Sequence, residues 1–297
     1  MCEAAGDSGG LCAHAGDVLS GQALGECVVE TATAPPELEP CEVLDVGSCD
    51  KNGGIRRLVL RAPHAAIHAL SGQFVHLRIP HFDDHLLRRP FGLYRCNSAA
   101  GTIELVYQVL GAGTQQMTSL KVGQKLDIIG PVGRGWSCAS LAQNVLLIAG
   151  GMGAVPLYPL AEQLKAQGKQ VQVVLGAQNA DLLVFQKDFE TLLGAENIPI
   201  CTDDGSAGFH GFTTERAAEL LKKSSFDAIA TCGPHLMQRG VALLARKAGI
   251  PCEVSLEERM ACGIGACLSC VVETTAGKKR ACVDGPVFKA DEVIWND

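Results

Sequence analysis

The sequence predicts a multidomain α+β protein with three folded parts. Residues 41–129 carry short alternating apolar segments, a pattern typical of a small antiparallel β-barrel. From residue 144 onward, predicted strands alternate with helices, which indicates a Rossmann-like α/β unit with a parallel sheet. Four of the 14 cysteines then fall between Cys262 and Cys282, which indicates a small metal-binding part near the end of the chain.

The chain is expected to begin with an acidic, flexible tail over residues 1–40. This tail holds seven acidic residues, no Lys or Arg and no aromatic residue, so it favours an extension over a folded unit. It has neither the basic start nor the apolar centre of a secretory signal. Cys2, Cys12 and Cys27 are too irregularly spaced to repeat the C-terminal pattern. The folded parts are then predicted over 41–137, 138–250 and 251–297.

Composition excludes several classes of function. Residues 41–297 carry 25 acidic and 25 basic residues, and no basic stripe indicates nucleic acid as a partner. No apolar run approaches the roughly 18 residues that a membrane span needs. Because the chain is rich in cysteine and has no export signal, we expect a cytoplasmic protein whose thiols bind metal instead of forming disulfides.

The predicted barrel contains two candidate ligand-binding stretches. Its strands are expected over 41–46, 55–61, 73–79, 89–94, 103–110 and 126–129, with one short helix from Thr114 to about residue 120. The run Arg88-Arg89-Pro90 could pair an arginine with a pyrophosphate and present backbone groups to a flavin, or it could be an ordinary strand entrance. Residues 111–114 could bind phosphate at a helix start, or form a simple turn.

A glycine turn opens the predicted α/β unit. Gly150, Gly151 and Gly153 follow an apolar strand over 144–149 and precede a helix that ends near residue 167. Glycines in such a turn let the backbone approach a pyrophosphate at the positive end of the helix. The pattern is not the complete Gly-x-Gly-x-x-Gly fingerprint, so a tight turn without a ligand stays open.

Further βα repeats place two more loops at the same edge of the sheet. Strands are predicted over 170–175, 198–201 and 226–231, with helices over 183–193, 214–222 and 236–248. Ligands of such sheets bind beyond the carboxyl ends of the strands. The loops that follow these strands are 203–206, with the sequence DDGS, and 232–235, with the sequence CGPH.

The C-terminal cysteines have the spacing of an iron–sulfur site. Cys262, Cys267, Cys270 and Cys282 form a C-x4-C-x2-C-x11-C run. Plant-type [2Fe–2S] ferredoxins use a C-x4-C-x2-C loop and one distant cysteine. Gly263 fits a loop that curls closely over inorganic sulfide. Structural zinc, which more often has paired C-x2-C knuckles, and buried inert thiols are the alternatives.

Taken together, these motifs carry a resemblance. The barrel stretch, the glycine turn and the DDG and CGP loops resemble the ferredoxin-NADP reductase superfamily. The stretches EVSLEERMACGIGACLSC over 253–270 and KRACVDGPVF over 279–288 closely resemble the electron-transfer subunits of class B, NAD-dependent dihydroorotate dehydrogenases. The resemblance covers about residues 41–297.

The resemblance implies three cofactors and their contacts. The four cysteines would hold the [2Fe–2S] cluster, Gly150, Gly151 and Gly153 would face the NAD pyrophosphate, and Cys232, as the catalytic residue, and Gly233 would back the nicotinamide. Asp204 is assigned to the same nucleotide. Relatives usually carry Ser or Thr where this chain has Gly92, so a hydroxyl contact to the flavin is lost. The residues expected to contact FAD are Arg89, Pro90, Phe91, Gly92, Val106, Tyr107, Gln108, Gly113 and Thr114.

The resemblance also implies a place in pyrimidine biosynthesis. An FMN-containing catalytic subunit would oxidise dihydroorotate, and electrons would pass through the cluster and FAD to NAD⁺, because a flavin exchanges both hydrides and single electrons. We expect a heterotetramer with two copies of each subunit. NAD is favoured over NADP because residues 176–181 hold no Lys or Arg and Asp203 and Asp204 would repel a 2′-phosphate.

Two other functions remain open from the sequence. A related NAD(P)H:ferredoxin-type oxidoreductase, or the flavin subunit of a hydrogenase or sulfide reductase, would share every cofactor motif. A zinc-stabilised interaction module without redox chemistry would share only the cysteines. The identity of the partner protein distinguishes the first alternative from a dihydroorotate dehydrogenase subunit. Visible absorption distinguishes the second, because flavin and [2Fe–2S] colour the protein and zinc does not.

Overall fold

A computed structural model describes residues 34–80 and 86–295. Residues 1–33 of the predicted tail lie outside this range, including Cys2, Cys12 and Cys27. Within the described residues, no helix is long and apolar enough to cross a membrane.

Six strands close into the predicted antiparallel barrel, in the order β1-β2-β5-β4-β3-β6. Alternate residues of each strand face the barrel interior, as the pleat of a strand requires. Val75 and Leu77 of one strand and Leu105 and Tyr107 of another pack in this core. The strands are β1 (Glu37–Ser48), β2 (Ile55–Arg61), β3 (Phe74–Arg78), β4 (Arg89–Asn97), β5 (Thr102–Gln108) and β6 (Lys125–Val132).

The first strand begins earlier than the sequence predicted. β1 starts at Glu37, within the expected tail, because the backbone from Glu37 to Glu42 pairs with β6 and closes the barrel. Glu39 is buried there, and its carboxylate accepts hydrogen bonds of 2.8 and 3.0 Å from the N–H groups of His64 and Ala65. These N–H groups begin α1 (Pro63–His68), a helix that was not predicted.

The short helix of the barrel begins before the predicted position. α2 runs over Ala112–Met117, and Gly111 precedes it. Thr114 is therefore the third helical residue and not the N-cap. Its hydroxyl accepts hydrogen bonds from the N–H groups of Leu110 (3.0 Å) and Gly111 (3.2 Å), which helps to satisfy the helix start.

A seven-stranded sheet follows the barrel, in the order β10-β9-β8-β7-β11-β12-β15. All neighbouring strands are parallel except β15, which is antiparallel to β12. The strands are β7 (Asn144–Gly150), β8 (Gln170–Ala177), β9 (Ile200–Thr202), β10 (Phe209–His210), β11 (Ala228–Cys232), β12 (Cys252–Ser255) and β15 (Val287–Lys289), and the hairpin β13 (Val271–Thr274) and β14 (Gly277–Arg280) precedes the last of them.

Helices cover both faces of this sheet. Odd-numbered residues of β7, such as Leu147, pack with α4 and α5, whereas even-numbered residues, such as Ile148, pack with α6 and α7. A strand that is buried on both faces has apolar residues at successive positions. This explains why residues 145–149 are continuously apolar and do not alternate. The helices are α3 (Cys138–Leu141), α4 (Ala154–Ala166), α5 (Gln186–Leu193), α6 (Thr213–Lys223) and α7 (His235–Ala248).

The cysteine-rich part contributes two strands to the sheet. β12 pairs with β11, and β15 pairs with β12, although the sequence analysis assigned residues 251–297 to a separate part. The two strands were not predicted because they span only four and three residues and include the polar Glu253 and Ser255. Glu253 is buried, and its carboxylate accepts hydrogen bonds from the N–H groups of Ser137 and Ala139.

Candidate functional site

A cavity of about 880 Å³ lies at the carboxyl ends of the parallel strands. Its wall includes Gly150 at the end of β7, Gly176 of β8 and Gly233 after β11, together with Ile55 and Gln108 of the barrel. This is the edge at which open α/β sheets bind ligands. Of the residues expected to contact cofactors, the wall contains Gln108, Gly150, Gly151, Gly153 and Gly233.

Two of the predicted loops pack directly against each other beside this cavity. A Cβ atom at Gly153 would collide with the backbone carbonyl of Cys232. A Cβ at Gly150 would lie 2.6 Å from the Sδ of Met237 and 2.8 Å from the Cδ of Pro234. Gly233 has a φ of +149°, and its own Cβ would meet the Gly150 backbone at 3.0 Å. The glycines therefore allow two backbone turns to approach closely and leave main-chain groups at the cavity.

Three helix N-termini line the cavity wall. They belong to α4 at Gly153, α6 at Thr213 and Thr214, and α7 at His235 and Leu236. Free N–H groups and the helix dipole favour anions at such positions. Among the described residues, the wall contains no Lys or Arg. An anionic ligand would therefore be bound by main-chain N–H groups and by side chains such as Thr213, Thr214 and His235.

The acidic residues of the wall differ in part from the prediction. Asp203 lines the cavity, but Asp204 does not. The Asp204 carboxylate turns back to accept hydrogen bonds from the N–H (2.9 Å) and the hydroxyl (2.6 Å) of Ser206, and these bonds lower the pKa of Asp204. The structure thus brings Asp203, and not Asp204, to the cavity wall.

Glu257 and Glu258 also line the cavity, and neither was predicted from the sequence as a site residue. Burial raises the pKa of both carboxyl groups. Their position in the sequence could have identified them, because they follow β12, the strand next to β11, and ligands bind beyond the carboxyl ends of parallel strands. They were missed because β12 itself was not predicted.

Cys232 is buried beneath the cavity, with 1% of its surface exposed. Burial raises the pKa of this thiol, and the nearby Glu257 raises it further, while a hydrogen bond involving Ser255 acts in the opposite direction. An uncharged, buried thiol packs as a small apolar group and is a poor nucleophile. The next residue, Gly233, lines the cavity wall, whereas Cys232 does not. Cys232 therefore packs beneath the turn and does not face the cavity.

The two arginines at the start of β4 have different environments. Arg88 forms an ion pair with Asp127. Arg89 donates to the carbonyl oxygens of Leu87 (2.7 Å) and Arg88 (3.3 Å) and has no carboxylate partner among the described residues. A half-buried guanidinium without a counter-ion fits an anionic ligand such as the FAD pyrophosphate.

The rest of the predicted flavin stretch offers mainly backbone groups. Phe91 packs in the barrel core, and Gly92 lies next to α4, where a Cβ would meet the Cγ1 of Val155 at an ordinary 3.5 Å. Pro90 pairs with His76 of β3. The contact roles of these residues stay predictions.

The other two segments expected to contact FAD are residues 106–108 and 113–114, and only part of them lies at the cavity. Tyr107 packs inside the barrel, Val106 packs against the helices of the sheet, and Gln108 reaches the cavity. Gly113 is buried, and the Thr114 hydroxyl is engaged with the backbone of its own turn. Phosphate contacts at Gly113 and Thr114 would therefore use main-chain N–H groups.

The cysteine loop between β12 and β13 directs backbone N–H groups toward Cys262. The N–H of Cys267 lies 3.4 Å from the Cys262 Sγ. Burial alone would raise the pKa of Cys262, but N–H groups of Ile264, Cys267 and Ala266 outweigh it and lower the pKa to about 6. Positive φ angles at Gly263 (70°), Gly265 (80°) and Leu268 (57°) allow this curled backbone.

The other two cluster cysteines lie together behind the loop. Cys270 and Cys282 are each 2% exposed and share one apolar cluster of side chains. The N–H of Ala281 donates to the Cys270 carbonyl at 2.8 Å. Burial raises the pKa of Cys282 to about 12, and Cys270 adds to this rise.

The four thiols fit a [2Fe–2S] cluster by the chemistry of their donor set. Four sulfur ligands and N–H groups that point at sulfur are the usual surroundings of such a cluster. Among the described residues, no three Cys, His, Asp or Glu side chains already form an assembled metal site. The fit therefore rests on the ligand type, the curled loop and its N–H groups.

Two further residues connect the cluster loop to the rest of the protein. Arg280 donates to the Gly265 carbonyl (3.3 Å) and to the Asp284 carboxylate (3.1 Å), so it ties the loop to the segment of Cys282. His76 of β3 is fully buried against Gly263. Burial, with the charge of Arg88, lowers its pKa to about 4, while the backbone of Cys262 acts in the opposite direction. Both were missed because the contacts of His76 with Gly263 and of Arg280 with Gly265 join residues that are far apart in the sequence.

Comparison with known proteins agrees with this geometry. Residues 40–136 match the family model described as the oxidoreductase FAD-binding domain, and residues 257–294 match the iron–sulfur cluster binding domain of dihydroorotate dehydrogenase B. A chain of the NADH-dependent reduced ferredoxin-NADP oxidoreductase structure superposes with a TM-score of 0.76 and 31% identity, covering 89% of this chain and 91% of that one.

Curated relatives match about three quarters of the chain or more. The dihydroorotate dehydrogenase B (NAD(+)) electron transfer subunit of Desulforamulus reducens is 37% identical over 238 residues, which is 79% of this chain and 90% of that protein. The subunit of the same name from Enterococcus faecalis is 39% identical over 235 residues, 75% of this chain and 86% of that protein. This chain therefore belongs to the family of dihydroorotate dehydrogenase B (NAD(+)) electron transfer subunits.

Proposed function

We propose that this chain is the electron-transfer subunit of an NAD-dependent dihydroorotate dehydrogenase in pyrimidine biosynthesis. The observation that carries the proposal is the combination, in one chain, of the cavity at the sheet edge, the barrel with Arg89, which has no carboxylate partner in the part of the chain that the structure describes, and the four-cysteine loop. When bound, the cofactors supply single-electron exchange at [2Fe–2S], hydride exchange at NAD and both kinds of exchange at FAD.

Each part of the chain has a defined task in this function. Arg89 would bind the FAD pyrophosphate, with the backbone of β4 along the flavin. The N-terminus of α4, reached through Gly153, would bind the NAD pyrophosphate, and Gly233 would lie beside the nicotinamide. Burial of Cys232 keeps that turn free of a reactive thiolate. The four thiols of the cysteine loop would hold the cluster.

The catalytic partner is proposed from the family. An FMN-containing dihydroorotate dehydrogenase subunit would supply electrons to the cluster, in a heterotetramer with two copies of each subunit. The exposed cysteine of the loop, Cys267, supports access of a partner to this side. Dihydroorotate itself would bind to the partner and not to this chain.

Anaerobic co-purification with the partner from the native host tests the proposal. We expect the complex to catalyse dihydroorotate-dependent reduction of NAD⁺, with FAD and iron present in this chain. A complex that contains a different flavoenzyme and does not oxidise dihydroorotate would contradict the proposal.

A second candidate is a subunit of a related NAD(P)H:ferredoxin-type oxidoreductase. The superposition on the NADH-dependent reduced ferredoxin-NADP oxidoreductase chain favours it, because that match covers nearly all of both chains. The two functions differ in partner and electron donor. The same purified complex, assayed with reduced ferredoxin and with dihydroorotate in parallel, separates them.

A further inference from the structure

Strand β3 separates the predicted flavin stretch from the cysteine loop. It pairs with β4, so that Phe74 lies opposite Gly92 and His76 lies opposite Pro90. Val75 and Leu77 face the barrel core. Phe74 points to the other side, where it packs with Cys270 and Cys282. Because side chains alternate along a strand, His76 shares the face of Phe74 and looks toward the cysteine loop.

The imidazole of His76 is buried against that loop. None of its surface is exposed, and a Cβ atom at Gly263 would collide with its ring. Gly263 directly follows Cys262. Contact between a barrel histidine and the loop backbone explains why residue 263 is a glycine with a φ of +70°. The ring therefore touches the segment that would hold the cluster.

Neither ring nitrogen of His76 makes a well-aligned hydrogen bond among the described residues, and the polar group that lies within reach of the ring is the backbone of Cys262. An unsatisfied buried polar group costs about 1–3 kcal/mol, so buried polar side chains nearly always have a partner. An uncharged imidazole carries one N–H donor and one acceptor nitrogen. This donor faces a loop whose own N–H groups already converge on the sulfur of Cys262. In this geometry the ring N–H has no well-aligned acceptor, and a sulfur of the cluster beside Cys262 would supply one.

We propose that a ring N–H of His76 donates a hydrogen bond to the sulfur shell of the cluster held by Cys262, and that His76 thereby positions the loop and raises the reduction potential of the cluster. Hydrogen bonds to cluster sulfurs stabilise the more negative, reduced state. The inference rests on the proposed function, because it requires the [2Fe–2S] cluster in the four-cysteine loop. His76 is a positioning residue and exchanges no electrons itself.

Two substitutions separate the donor from the shape of the ring. His76→Phe keeps a planar ring and removes the donor, and His76→Asn retains an N–H near the same place. We expect His76→Phe to keep its iron and FAD but to shift the cluster potential to a more negative value, with altered EPR g-values. We expect His76→Asn to restore part of the potential. His64→Phe, at a histidine of α1 outside the cluster loop, is the matched control and should change neither quantity.

Redox titration followed by EPR measures these effects in the full-length protein. An unchanged potential in His76→Phe, or a shift that His76→Asn does not reduce, would overturn the proposal. If His76→Phe does not assemble, pulsed EPR of the parent protein labelled with ¹⁵N-histidine decides. A histidine ¹⁵N coupling to the reduced cluster supports the bond, and its absence overturns it. Parent protein without iron would instead overturn the cluster assignment itself, so the two failures are distinguishable.

Discussion

Tyr94 of the barrel donates a 2.6 Å hydrogen bond to the carboxylate of Asp188 in α5. Arg95 pairs with the same carboxylate at 3.1 Å, and its guanidinium lies 4.7 Å from the ring centroid of Tyr158 in α4. β4 thus connects the predicted flavin stretch to two helices of the sheet. These contacts fix the barrel against the nucleotide-binding side of the protein.

Tyr94→Phe should lower the free energy of unfolding by about 1.5–3 kcal/mol. The substitution keeps the buried ring and removes only the hydroxyl, and a hydrogen bond to a charged group contributes on this scale. Urea denaturation of FAD-loaded protein measures the change. A double-mutant cycle with Asp188→Ala, which removes the acceptor, is the control, because the two effects should be strongly non-additive. Additive effects would contradict a direct bond.

Arg89→Ala should weaken FAD binding about tenfold or more. Loss of a charge-assisted hydrogen bond costs about 1.5–3 kcal/mol, and about 1.4 kcal/mol corresponds to a factor of ten in affinity. Fluorescence titration of the FAD-depleted protein gives the dissociation constant. Arg88→Ala is the neighbouring control. It breaks the ion pair with Asp127, so it should lower stability more than FAD affinity. Equal FAD affinities for Arg89→Ala and the parent would contradict the assignment.

Gly153→Ala should weaken NADH binding at least tenfold while FAD and iron content stay near parent levels. The added methyl group would collide with the carbonyl of Cys232 and push the glycine turn away from the neighbouring turn. Overpacking of this kind costs about 1–3 kcal/mol. Gly47→Ala is the control, because its Cβ would meet no atom nearer than 3.9 Å. Parent-like NADH affinity in Gly153→Ala would remove this turn from the nucleotide site.

The protein should prefer NADH over NADPH by about tenfold or more. Among the described residues, the cavity wall has no Lys or Arg to pair with a 2′-phosphate, and it carries the acidic Asp203, Glu257 and Glu258. Anaerobic titration of flavin reduction with each nucleotide measures the preference. A preference for NADPH would show that a cation from elsewhere completes the site.

Regular alternation made the barrel and the central sheet predictable. The two-sided apolar run before Gly150 and the six barrel strands were visible because long-range packing agrees with local pattern there. β1 was predicted too short because its first residues include Glu39, whose burial depends on the distant start of α1. The C-terminal strands were missed because they are short and carry a buried Glu253.

The candidate site was predictable to the level of loops, but not always to the residue. Spacing alone singled out the four cysteines, and the glycines of the two turns followed from strand–loop–helix order. The choice between Asp203 and Asp204 depends on a turn in which Ser206 binds the second carboxylate. His76 was not identified because the sequence does not show which face of β3 lies against the cysteine loop. That face follows from the pairing of β3 with β4 in the folded protein.

The central claim is that one chain holds both a flavin and a four-cysteine iron–sulfur cluster. Iron, sulfide and flavin content, measured with the visible spectrum after anaerobic purification, tests it most directly in the parent and in Cys267→Ser. We predict about two iron atoms and one FAD per parent chain, and loss of the cluster with retention of FAD in Cys267→Ser. The exposed Cys96 lies outside the cluster loop, and Cys96→Ser should match the parent. A colourless parent protein without iron or flavin would contradict the claim, as would a Cys267→Ser protein with an unchanged cluster.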